Sequence, residues 1–112
     1  MKLVLIFLNR IECLEDLLIA FLEIGVTGAT VIDSTGMGRI ISHDIPIFVG
    51  LRDAFPGSSP SNRTIFTVVK EEIVEKLATI VQEVCGSFDE PGSGMMIVLP
   101  VEKMYGFKPE SE

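Results

Sequence analysis

Apolar and polar positions along the chain fall into four strand-like runs and two helical stretches. Leu3 to Leu8 is an unbroken apolar run, closed by Asn9-Arg10. Its length suits a strand covered on both faces. From Ile11 to Ile24 the period changes. Leu14, Leu17, Leu18, Phe21 and Leu22 fall at i, i+3, i+4, i+7 and i+8, the stripe of an amphipathic helix, with Glu12, Glu15, Asp16 and Glu23 on the remaining circumference. Gly25 is placed to stop that helix, and Ala29 to Ile32 reads as the second strand. Thr64 to Val69 is β-branched and aromatic, hence a third strand. Lys70-Glu71-Glu72 opens a second helix with Ile73, Leu77, Ile80, Val81 and Val84 as its stripe and Gly86 as its stop. An acidic, glycine-rich turn, Asp89 to Gly94, leads into a fourth strand, Met95 to Leu99, which Pro100 either ends or marks as an edge.

The order is β-α-β-loop-β-α-β. This predicts an α+β domain of the split βαβ, ferredoxin-like kind: a four-stranded antiparallel sheet with a long loop between strands two and three. Right-handed crossovers put both helices on one face. A sheet whose other face meets water should alternate apolar and polar, and the runs at Leu3–Leu8 and Met95–Leu99 do not. Leaving five or six such side chains in water forgoes on the order of 10 kcal/mol. We therefore expect a homo-oligomer that covers the helix-free face.

The loop, about residues 36–61, is far longer than the usual connection of about 4–6 residues. It opens on Thr35-Gly36-Met37-Gly38-Arg39 and closes on Pro56-Gly57-Ser58-Ser59-Pro60. Phe48, Leu51 and Phe55, at i, i+3 and i+7, outline a short amphipathic helix with Arg52 and Asp53 at its rim. That segment either packs back on the protein or docks on a partner. Residues 103–112 form a largely polar tail.

Composition narrows the function classes. At 112 residues the chain is expected to be one domain. A net charge of -7 argues against sequence-independent nucleic-acid binding and against an anionic membrane surface. Leu3–Leu8 is too short for a signal peptide's apolar core, and no run reaches membrane-span length, so the expected compartment is the cytoplasm, without membrane insertion. Cys13 and Cys85 lie in helical patterns with no histidine at metal spacing. They read as two buried small hydrophobes, a disulfide or a reactive thiol being the other reading.

Taken in order, Gly25-Val26-Thr27-Gly28-Ala29-Thr30-Val31, Thr35-Gly36-Met37-Gly38-Arg39, Gly92-Ser93-Gly94 before Met95-Met96-Ile97-Val98, and Leu99-Pro100-Val101-Glu102 resemble the PII nitrogen-regulatory signal proteins over about residues 1–105. The resemblance implies a homotrimer of ferredoxin-like subunits. Adenine nucleotide would bind in clefts between subunits, and a flexible loop would dock on transporters, enzymes or regulators. It also shows departures. Met95 stands where the family has a phosphate-reaching lysine, and Ile40 where it has a glutamine of the effector and magnesium site. Lys103-Met104-Tyr105-Gly106-Phe107 replaces an arginine-bearing segment. Phe48, without a hydroxyl, aligns with the tyrosine that some members modify.

The candidate ligand residues are Thr30, by that resemblance, with Gly36, Gly38, Arg39, Arg63, Gly92 and Gly94. Backbone amides of glycine-rich turns and guanidinium groups suit an anion such as adenine nucleotide. Arg63, at the far end of the loop, could join Arg39 in one cleft. Because no helix is expected after Gly-Met-Gly, the motif is not a dinucleotide fingerprint. Asp33 and Ser34 read as the end of a strand and as turn formers, and His43 as a solvated loop residue. No acid and base, no nucleophile and no metal cluster stand at working spacing, so no catalytic residue is expected. The leading reading is a non-enzymatic trimeric regulator whose partner is a membrane transporter or a regulatory protein. The alternative is a trimeric CutA-like or structural scaffold without a nucleotide site.

Overall fold

A computed structural model describes residues 1–41 and 62–106. Four strands, β1 (Lys2–Leu8), β2 (Thr30–Ser34), β3 (Asn62–Val69) and β4 (Gly94–Pro100), form one sheet in the order β2-β3-β1-β4. Every neighbouring pair is antiparallel. Helix α1 (Leu14–Glu23) follows a 3-10 turn at Ile11–Cys13, and α3 (Glu71–Cys85) joins β3 to β4. This is the α+β arrangement that the element order implies. The strand bounds differ from the expected ones because ladder bonds continue past the apolar residues. Ser34 pairs with Asn62 and Asp33 with Arg63, so β2 runs to Ser34 and β3 begins at Asn62. Asp33 and Ser34 thus end the strand as expected, but as paired ladder residues and not as turn formers.

Register explains how an unbroken apolar run serves two faces. Val4, Ile6 and Leu8 are buried against Leu17 and Phe21 of α1 and Leu77 and Val81 of α3, together with Ile65 and Val69 of β3. Leu3, Leu5 and Phe7 point the other way and are only half-buried. Opposite them stand Leu99, Ile97 and Met95 of β4 and, across β3, Val68 and Phe66. Of these, Phe66, Met95, Ile97 and Leu99 are exposed. On α1 the buried stripe is narrower than its sequence pattern. Leu17 and Phe21 reach the core, but Leu22 is 61% exposed, because it is turned about 100° from Phe21.

Two further expectations are overturned. A single helical turn, α2 (Met37–Arg39), follows Gly36, whose carbonyl accepts from the Ile40 amide at 3.2 Å, where no helix was expected. The cysteines are not separate hydrophobes: Cys13 and Cys85 form a disulfide, with Cα atoms 5.6 Å apart. The topology brings them together. β1 and β3 are antiparallel, so the helices that follow them are antiparallel too, and the start of α1 meets the end of α3. A bridge closing a loop of 72 residues contributes about 4 kcal/mol in the chain-entropy account.

Candidate functional site

The candidate residues collect mostly at one end of the sheet. There β1 and β2 finish and β3 and β4 start, so the root of the long loop and the Gly92–Gly94 turn emerge side by side with Asn9. A row of polar side chains crosses this end. Ser34 Oγ donates to Asn62 Oδ1 and lies 2.8 Å from Thr64 Oγ1. Asn62 Nδ2 donates to Asn9 Oδ1 at 3.3 Å, and Asn9 Nδ2 donates to the Gly92 carbonyl at 3.1 Å. The row links all four strand ends, over about 14 Å at the usual strand spacing. Gly36 sits beside it, where an added Cβ would lie 3.8 Å from Asn62 Nδ2.

Gly36, Gly38 and Arg39 lie next to the outer strand β2, and Gly92 and Gly94 at the opposite outer strand β4. The two glycine-bearing candidate segments therefore stand on opposite edges of the sheet. Thr30 joins neither: it starts β2, opposite Phe66, four residues from Ser34. Arg63 is paired in this structure, its Nε 3.0 Å from Asp33 Oδ1. Both lie opposite each other in the β2–β3 register, so the pair follows from strand alignment. Phe48, Leu51, Arg52, Phe55 and His43 lie outside the described residues.

The turn carrying Gly92 is held from below by the segment after β1. Arg10 Nη1 donates to the Cys85 carbonyl at 3.2 Å, and Arg10 Nη2 pairs with Glu90. The hydrogen bond from Arg10, and then its charge, hold the Glu90 carboxyl below its ordinary 4.5. Ser93 Oγ donates to the Ser87 carbonyl at 2.7 Å, closing the turn on itself. Gly94 approaches β1 so closely that a Cβ would stand 2.5 Å from the Phe7 carbonyl oxygen. Met95 points to the helix-free face and is 54% exposed.

Sequence reading missed Asn9, Arg10 and Asn62. The available signal was positional: Asn9-Arg10 follows the first apolar run directly, and Asn62 precedes the third. A polar residue just beyond a strand end can reach the adjacent strand ends once register is known. Among the described residues no group of histidine, cysteine or acidic side chains is placed to hold a metal ion.

The fold is that of a small α+β domain of the split βαβ class. The family model for nitrogen regulatory protein P-II matches residues 1–111, and the chain belongs to the PII family, whose members are regulatory signal-transduction proteins and not enzymes. No curated protein matches the chain. Among the described residues, no helix is long and apolar enough to cross a membrane.

Proposed function

We propose that this protein is a homotrimeric, cytoplasmic PII-type regulator. It binds a small anionic ligand, adenine nucleotide first among them, in clefts between subunits. It then acts on a membrane transporter or a regulatory protein through residues 39–61. The observation that carries this reading is the separation of the two glycine-bearing segments onto opposite edges of one sheet. A ligand that needs both Gly36–Arg39 and Gly92–Gly94 is best served where the β2 edge of one subunit adjoins the β4 edge of the next. The exposed Phe66, Met95, Ile97 and Leu99 supply an apolar surface for that assembly. Isothermal titration with ATP, ADP, AMP, cyclic nucleotides and bicarbonate tests it. Saturable heat with at least one is the expected result, and no heat with any of them refutes ligand binding.

Two observations favour a second reading, a trimeric scaffold of CutA-like architecture without a nucleotide site. Met95 brings no charge to the glycine turn, and Arg63 is engaged by Asp33. On that reading residues 39–61 are packed structure, and limited proteolysis of the unliganded protein should leave the segment intact.

A further inference from the structure

Residues 9–13 hold residues 85–92 at four points. Asn9 binds the Gly92 carbonyl, and Arg10 binds both the Cys85 carbonyl and the Glu90 carboxylate. Cys13 is bonded to Cys85. Three of these contacts are polar and two involve the partly exposed Arg10 head group, where water competes. The disulfide is the covalent tie between the two segments. The held stretch contains Gly86 and Gly92, both at positive φ, and its internal main-chain bonds are those of single turns, Glu90 N–H to the Ser87 carbonyl and Ser93 N–H to the Glu90 carbonyl.

Both cysteines belong to the buried core, and both stand at the ends of their elements. Cys13 closes a 3-10 turn and Cys85 is the last residue of α3. Helix ends open locally at far lower free energy than helix centres. Cys13 and Cys85 are 8% and 4% exposed, so fraying of one turn would uncover them. In a reducing compartment disulfides of this kind are transient or redox-sensing rather than permanent.

We propose that the Cys13–Cys85 bond is a reversible redox element that sets the order of the Gly86–Gly94 segment. A dithiol reductant supplies two electrons and two protons. The S–S bond breaks, two thiols form, and the reductant closes to its own disulfide. Arg10 and Asn9 then lose their fixed distance from Cys85, and the glycine turn loosens while the sheet and both helices persist. The regulatory meaning of the switch rests on the ligand-binding reading above; the loosening itself does not.

Hydrogen–deuterium exchange on the full chain, without nucleotide, tests the proposal. Protein prepared without reductant is compared with protein treated with dithiothreitol, with alkylation and mass measurement confirming both thiols. Exchange over residues 86–94 should rise severalfold on reduction, that of β1 and β3 should stay low, and reoxidation should restore the starting pattern. The Cys13→Ser/Cys85→Ser double variant should reproduce the reduced pattern and ignore dithiothreitol. Unchanged exchange at 86–94 with both thiols alkylated would overturn the proposal. So would loss of protection throughout β1 and β3, which would make the bond a structural staple. Because no nucleotide is present, either outcome is separable from a failed titration.

Discussion

Gly94 is required by contact more than by its turn. Its φ of 142° lies in the region that favours glycine, and a Cβ there would meet the main-chain oxygen of Phe7 at 2.5 Å. Backbone cannot step aside as a side-chain tip can, so β4 would have to shift against β1. Gly94→Ala should therefore cost on the order of 2–3 kcal/mol, read as a lower urea midpoint at unchanged m-value. Gly86 differs: its added Cβ would meet the movable end of Arg10. In the sequence, Gly92-Ser93-Gly94 is legible only as a permissive turn that suits a phosphate. Its reason in packing needs the β1–β4 register, in which Leu8 faces Gly94. The same holds for Arg63, legible as a charge at the loop's end but not as the partner of Asp33.

At the scale of elements the periodicities carried most of the fold. Unbroken apolar runs became β1 and β4, and the 3.6-residue stripe of α3 buried Leu77 and Val81 as read. What stayed hidden were contacts between elements distant in sequence: the cysteine bridge, and the grip of residues 9–13 on the turn at 86–92. Neither leaves a local pattern, because each depends on two antiparallel helices ending side by side. The Arg10–Glu90 pair has a testable pH signature. Arg10 lowers the Glu90 pKa in the folded state below its ordinary 4.5. A carboxylate with a depressed folded pKa adds stability above its unfolded pKa and loses it as pH falls through the folded one. Glu90→Gln should thus be less stable than the parent at about pH 7. The two urea midpoints should converge as pH falls through the folded-state pKa, where the parent's carboxylate becomes protonated as well. A gap that persists in acid would mean that Glu90 acts by packing and not by charge. Both side chains are partly exposed, so the gap at neutral pH should be small.

For the whole molecule the question is what lies against the helix-free face. Leu3, Leu5 and Phe7 are half-buried there by the sheet itself, while Phe66, Met95, Ile97 and Leu99 remain exposed. Full burial of side chains of this size is worth about 1.5–3 kcal/mol each. A second and third copy of the chain could recover much of that, and closed rotational symmetry would do so without leaving an open end. Ile97 is the position to probe, since it is 37% exposed and lies opposite Leu5 in the β1–β4 register. In an isolated subunit Ile97→Lys can send its ammonium to water along a flexible stem, so secondary structure by circular dichroism should be unchanged. In an assembly that covers this face the same charge is buried without a partner. A penalty of about 3 kcal/mol or more per copy is roughly a hundredfold in affinity. Sedimentation velocity at micromolar concentration should then give a trimer for the parent chain and a folded monomer for Ile97→Lys. If the parent itself sediments as a monomer, the apolar face has another use, and a ligand site shared between subunits loses its foundation.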